Sequence, residues 1–194
     1  FFDDCILNLG TDTKGSKDMF NTVNTAVDQI HLSSDGFKRG ENWAYHAGRG
    51  YVCLDGAQMN VTGELQRGLW DKIEPSFVNK WDEGEVFKCW FEHPMDKVDA
   101  GEAGYAYAIF PRAELDKVQS VAKKWARKGQ TKDFKVLCND SRCQAVMYKG
   151  TLSAVFHEAG TYKLGADRIT VSEPQIYIRT VKGEKKTVLP AKAK

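Results

Sequence analysis

The sequence is poor in the features that announce a function. No run approaches the roughly 20 consecutive apolar residues of a membrane span. The opening Phe1-Phe2-Asp3-Asp4 lacks the basic start and small-residue cleavage site of a signal peptide. Charge of one sign is missing too. The 28 Lys and Arg face 26 Asp and Glu, a net charge of +2, which is too even for bulk electrostatics to point to nucleic acid. Neither a membrane nor a nucleic acid is therefore expected as a partner. The five cysteines (Cys5, Cys53, Cys89, Cys138, Cys143) are odd in number and irregular in spacing, with no Cys-x-x-Cys pair, and the four histidines (His31, His46, His93, His157) are scattered. That pattern excludes a disulfide scaffold and argues against structural zinc. No metal and no cofactor is expected. No Gly-x-Ser-x-Gly elbow, His-Glu-x-x-His helix or phosphate-cradling loop is found either. No complete catalytic site can be read from these residues.

What is present is a globular composition, 42% hydrophobic and 28% charged in 194 residues, enough to bury an ordinary core. Short runs of β-branched and aromatic residues recur between Gly, Asn and Asp turns. They include Cys5 to Leu9, Gly50 to Leu54, Val86 to Phe91, Tyr105 to Phe110, Phe134 to Leu137, Ala145 to Tyr148, Ser153 to His157, Ile169 to Val171 and Gln175 to Val181. This spacing predicts an all-β, antiparallel sandwich rather than alternating β and α units. Phe1, Phe2, Cys5, Ile6 and Leu7 read as a strand already under way, which places further chain upstream of Phe1. In the run from Tyr105, the two tyrosines share one strand face and the small Ala106 and Ala108 the other, where a neighbouring layer can approach closely.

One segment breaks the pattern. Leu115, Val118, Ala122 and Trp125 follow helical spacing between Pro111 and Gly129, with acids early and Lys123, Lys124 and Arg127 late, as the helix dipole favours. One amphipathic helix is expected over 112–129. It divides the chain into a first β part, 1–111, and a last, smaller β-sandwich, 130–194, whose final dozen residues form a frayed basic tail. The cations around Lys123 to Lys128 read as a solvated face, and a polyanion patch is the sharper alternative.

Three side chains are candidates for contact with carbohydrate. Trp43-Ala44-Tyr45-His46 gathers a tryptophan, a tyrosine and a histidine that could stack on a sugar or move a proton, or simply form the aromatic end of a core strand. Trp81 is the third. Glu92-His93 and His157-Glu158 pair a carboxylate with a histidine. Neighbours on a strand point to opposite faces, so Glu92 and His93 are not expected to cooperate. Cys138 and Cys143 flank the turn residues Asn139 to Arg142 and face each other across a hairpin, as a disulfide or as two half-buried thiols.

Several motifs, in order, resemble polysaccharide lyase family eight, the hyaluronate, chondroitin and xanthan lyases. They are Phe1-Phe2-Asp3-Asp4 running to Leu9-Gly10, Asn24-Thr25-Ala26-Val27-Asp28-Gln29, Gly50-Tyr51-Val52, Arg67-Gly68-Leu69-Trp70, His93, Tyr105-Ala106-Tyr107 to Pro111, and Asn139 with Gln144-Ala145-Val146. Pro94 stands where that family usually has Gly, and the cysteines are not a feature of it. The resemblance implies that 1–111 is the later part of a central β-supersandwich and 130–194 the C-terminal sandwich. It implies a secreted or periplasmic bacterial protein whose partners are a uronic-acid polysaccharide and an upstream part of the same protein. It also implies β-elimination, in which a base removes the C5 proton of the uronate and the 4-linked sugar leaves. The family's catalytic residues lie in regions preceding residue 1, so none is carried over onto this chain.

Overall fold

The computed structural model describes residues 1–15, 22–57, 59–76, 78, 80–131, 133–180 and 183–188. In chain order the strands of the first part are β1 (Ile6–Gly10), β2 (Thr22–His31), β3 (Phe37–Arg39), β4 (Trp43–His46), β5 (Arg49–Cys53), β6 (Met59–Leu69), β7 (Trp81–Pro94) and β8 (Tyr105–Phe110). Helix α1 (Met95–Asp99) lies between β7 and β8, and helix α2 (Leu115–Lys128) follows. The last part holds β9 (Phe134–Asn139), β10 (Cys143–Tyr148), β11 (Thr151–Phe156), β12 (Gly160–Leu164), β13 (Asp167–Val171), β14 (Gln175–Thr180) and β15 (Gly183–Val188). Every strand pairing among the described residues is antiparallel. No helix among them is long and apolar enough to cross a membrane.

The first part stacks two sheets, ordered β1-β8-β5-β4-β3 and β2-β7-β6. The five-stranded sheet is apolar on both faces. Tyr51, Cys53 and Tyr107 face the three-stranded sheet, where they meet Met59, Val61, Phe87, Cys89 and Phe91. Val52, Leu54, Ala106, Ala108 and Phe110 face the other way, onto Val118, Ala122 and Trp125 of α2. The small Ala106 and Ala108 thus lie on the face that a layer approaches. Gly50 shows how tight that approach is: a Cβ there would sit 2.1 Å from Val118 Cγ2. A bulge between Ala26 and Asp28 in β2 sets Asp28 opposite Cys89 on the inner face, where it accepts a hydrogen bond from the Tyr51 hydroxyl.

Helix α2 is therefore a packed layer and not only a connection. Its C-cap, Gly129, adopts φ +61°, a left-handed conformation suited to glycine. The Trp125 indole donates to the Leu54 carbonyl at 2.7 Å, and the ring stacks on Phe134 at 5.1 Å. The last part is a second sandwich, β15-β14-β11-β10-β9 over the hairpin β12-β13. Its core joins Leu152, Ala154, Phe156 and Tyr177 to Tyr162, Leu164, Ile169 and Val171. Phe134 and Tyr148 share the apolar cluster of the first part, and further contacts tie the two together. Phe2 stacks on Tyr148 at 4.3 Å, Asp4 bridges Lys117 (2.9 Å) and Lys149 (3.3 Å), and the Asn139 amide donates to the carbonyls of Gly10 and Tyr105, each at 3.2 Å.

Three features depart from the sequence reading. Strands β2, β3, β6 and β12 were not among the runs recognised there. Helix α1 opens directly after Pro94, which ends β7 and serves as its N-cap. Residues 183–188 of the expected frayed tail pair along β14 as an edge strand; the rest of that tail lies outside the described residues.

Candidate functional site

The structure separates the three carbohydrate candidates. Trp43 and His46 share β4 but lie on opposite faces of it, Trp43 toward α2 and His46 toward the three-stranded sheet. His46 is 1% exposed and stacks on Phe87, ring centroids 4.5 Å apart. Its Nε2 accepts the Ser33 backbone N–H at 3.0 Å, so the proton rides on Nδ1, which meets no partner. Burial, helped by nearby Arg49, holds its pKa below the ordinary histidine value. A sugar cannot reach this ring, and the expectation that His46 contacts carbohydrate is corrected: it is a core histidine. Trp43 is half-buried, its indole covering Gly40, where a Cβ would fall 2.2 Å from Nε1. It packs on the cluster beneath α2. Trp81 alone is open, at 66% exposure.

The remaining acid–base side chains are largely committed inside the fold. His93 is 5% exposed, hydrogen-bonds Thr25 Oγ1 at 2.8 Å, and is held by burial below its ordinary pKa. Glu92, next to it, is exposed on the other face. His157 Nε2 bonds the Gln144 side chain, and the Tyr162 hydroxyl donates to the Glu158 carbonyl at 2.8 Å. Burial and then the Asp28 carboxylate raise the Tyr51 hydroxyl pKa, and burial also raises that of Tyr107. Burial pushes the thiols of Cys5, Cys53 and Cys89 up to about 12. None of these is primed as a nucleophile at neutral pH. Cys138 and Cys143 are diagonal neighbours at the β9–β10 hairpin and both are free thiols; Cys138 donates to Asp140 at 3.2 Å. Among the described residues no three His, Cys, Asp or Glu side chains converge as a metal site.

A surface suited to a sugar forms elsewhere, at the outer end of the β6–β7 hairpin. β2 pairs with β7 only as far as His31 opposite Val86, while β6 and β7 continue together to Leu69 opposite Trp81. The two strands thus leave the sheet as a two-stranded arm. Gly84 pairs with Gln66, and Gly68 with Asp82, so glycines leave part of one face of the arm without side chains. A 3₁₀ turn (Trp70–Lys72) at the end of β6 brings Trp70 and Ile73 to its side. The result is a hollow of about 530 Å³ lined by Trp70, Ile73, Gln66, Asp82 and His31, with the glycines between them. Trp70 Nε1 lies 3.4 Å from Asp82 Oδ2, and His31 Nδ1 lies 3.0 Å from the Glu85 carbonyl oxygen. By strand alternation Trp81 belongs to the opposite face of the arm, with Leu69, Arg67 and Glu83. An aromatic wall beside an open floor and a polar rim can hold a pyranose ring. In the sequence, Arg67-Gly68-Leu69-Trp70 stands out only as a motif of the family resemblance. The signal available there was a glycine opposite each of two polar residues in a pair of strands, visible only once the register was known.

Comparison with known proteins places this architecture. Residues 1–122 match the model of polysaccharide lyase family 8, super-sandwich domain, and residues 135–190 match that of the same family's C-terminal beta-sandwich domain. The chain belongs to polysaccharide lyase family 8. Chondroitinase-AC of Pedobacter heparinus is 27% identical over 149 residues, which are 75% of this chain and 20% of that protein. A chondroitinase AC lyase structure, from a study of enzyme–oligosaccharide complexes, superposes with a TM-score of 0.75 at 23% identity, covering 96% of this chain and 28% of that one. The Streptomyces coelicolor A3 chondroitin AC lyase in complex with chondroitin sulphate gives 0.67 at 23% identity over 93% of this chain and 24% of its own. A Paenibacillus xanthan lyase gives 0.66 at 19% identity, over 91% of this chain and 20% of its own. The chain spans between a fifth and under a third of the length of these relatives.

Proposed function

We propose that these 194 residues are the non-catalytic β portion of a polysaccharide lyase that cleaves uronic-acid polysaccharides of the chondroitin or hyaluronan type by β-elimination. They support the substrate cleft, and the base that takes the C5 proton comes from a segment of the same protein outside them. The observation that carries this reading is the order of the two family-8 domains along the chain. It is supported by the internal commitment of the His46 and His93 rings and of the Tyr51 hydroxyl. A polymeric substrate places the protein outside the bacterial cytoplasm, secreted or periplasmic. The test is an elimination assay on chondroitin, hyaluronan and xanthan, read by absorbance of the unsaturated uronate. The 194-residue chain is expected to give no product and a chain extended upstream to give it. Clear turnover by the short chain would overturn the non-catalytic assignment.

The hollow on the β6–β7 arm favours a second role, direct contact with carbohydrate. Trp70 offers a stacking face there, and Trp81 a second one across the arm. Calorimetry with chondroitin oligosaccharides reads this directly. Loss of binding in Trp70→Ala, with the unfolding midpoint unchanged, supports it; unchanged binding removes it.

A further inference from the structure

The solvent face of α2 carries a feature that neither the fold nor the arm uses. Val118, Ala122 and Trp125 make the buried stripe of this helix. On the opposite side Ser120, Lys123, Lys124 and Arg127 line one hollow of about 200 Å³. Lys124 and Arg127 then line a second, of about 440 Å³, together with Lys128, Gln130, Thr131 and, from β9, Lys135. Lys124 and Arg127 form the ridge shared by the two. Spacings of three and four residues keep the helical members on one face within roughly two turns.

Several cations elsewhere in the chain are paired, whereas this patch gathers five without a carboxylate partner among the described residues. Lys117 and Lys149 share Asp4, Arg67 meets Glu83, Arg142 meets Glu158 and Arg179 meets Asp167. Lys123, Lys124, Arg127, Lys128 and Lys135 meet no carboxylate of a described residue, and all five are exposed. The helix dipole accounts for cations in the last turn. It does not account for Lys135, which lies on a strand, or for concave surface between the side chains. An unneutralised, grooved cluster of ammonium and guanidinium groups flanked by neutral hydrogen-bonding side chains fits a linear polyanion.

We propose that this face of α2, with Lys124 and Arg127 at its centre, binds the carboxylate and sulfate groups of an acidic polysaccharide at a site separate from the arm. The choice of polysaccharide rests on the lyase reading above. The patch also lacks an exposed aromatic: Trp125, the aromatic residue of this helix, points inward at 6% exposure. Single-stranded nucleic acid is held by stacking as well as by charge.

The test is calorimetric titration of chondroitin sulfate oligosaccharides into the 194-residue chain at low salt, for wild type and for the double variant Lys124→Ala/Arg127→Ala. Affinity is expected to fall on the order of tenfold, and its salt dependence to flatten as ion contacts are lost. The control, Lys38→Ala/Arg39→Ala, removes the same charge from exposed positions on β3 and is expected to bind as wild type does. Equal losses in both variants, or a loss in neither, would overturn the site. So would displacement of chondroitin sulfate by a single-stranded RNA more effectively than by free chondroitin sulfate. Both variants change exposed side chains, and matching unfolding midpoints show that the fold is kept. The elimination assay on an upstream-extended chain separates the two readings. Product formed with unchanged binding in the α2 variant leaves the lyase and removes the patch. No product with binding lost leaves the patch and removes the lyase.

Discussion

The two sandwiches bury aromatic cores of similar make-up but differ in where they place ionisable groups. The first takes them inside: His46 and His93 are almost fully buried, and the Asp28 carboxylate bonds the buried Tyr51. The second buries the amide of Gln175 but keeps its charged pairs at the rim. Arg179 grips Asp167 with two hydrogen bonds, 3.0 and 2.5 Å, and Arg142 pairs with Glu158 at 3.2 Å while lying 5.4 Å from the centre of the Tyr162 ring. A neutral imidazole inside a core makes that core sensitive to mild acid. A rim carboxylate paired with arginine is sensitive only to stronger acid. The two halves should therefore weaken at different pH, although they share contacts through Phe2, Asp4 and Asn139.

The largest effect expected is on the aromatic centres. Phe87→Ala and Phe156→Ala, both fully buried, should each cost roughly 3–5 kcal/mol in urea unfolding. The comparison sharpens in their pH dependence. Phe87 covers His46, so its loss should admit water to the ring and weaken the acid sensitivity of the first sandwich. Phe156→Ala should leave that sensitivity as it is.

The acid sensitivity itself comes next. Burial depresses the folded-state pKa of His46 and His93 below their ordinary 6.5. As the pH falls through that value the unfolded chain takes up protons first. The stabilisation is thus complete above about pH 6.5 and declines below it, until the folded-state pKa is reached. Hydrogen exchange in β7 should accelerate relative to β11 as the pH falls below about 6.5. His46→Gln with His93→Gln should abolish the difference; a difference that survives would show that its source lies elsewhere. For Asp167 the sign is the same, but the window lies lower. The hydrogen bonds from Arg179 hold its carboxyl below the ordinary 3.8, so its contribution persists above that value and is lost only below it.

The smallest effect is at the rim. Arg179→Ala should lower stability by about 0.5–1 kcal/mol, less at high salt, because both partners are about one-third exposed. Thermal unfolding at two salt concentrations reads it.

How much of this was legible in the sequence depends on how much of each element is buried. β8 was read at its observed bounds because alternating Tyr and Ala on two covered faces leaves a clear period of two. α2 was read because Val118, Ala122 and Trp125 make a single apolar stripe. β6 was missed: Thr62, Gly63, Glu64, Gln66, Arg67 and Gly68 are strand residues only because β7 pairs with them along the whole arm. β15 was taken for a frayed tail because of its lysines, yet lysine on an edge strand is how an open ladder is kept from pairing further. α1 is five residues long, too short for any periodicity to register. At the sites, neighbour alternation correctly separated Glu92 from His93. His46 looked functional because a sequence does not show that Phe87 lies flat against it, and the Trp70 hollow depends on which residues face each other across a hairpin.

The stacking of Phe2 on Tyr148, and the bridge from Asp4 to Lys149, has a consequence for how the chain assembles. These contacts join residues about 145 apart in sequence, and they close the longest loops among the ring contacts, ion pairs and side-chain hydrogen bonds of the described residues. β1 finds its ladder partner only when β8 exists, and Phe2 just before it finds Tyr148 only when β10 has formed. During synthesis this segment therefore waits for about 145 further residues before these contacts can form. A cut between α2 and β9 would not release two independent modules. It would strip Trp125 of Phe134 and Phe2 of Tyr148, and leave each half with an aromatic face turned to water.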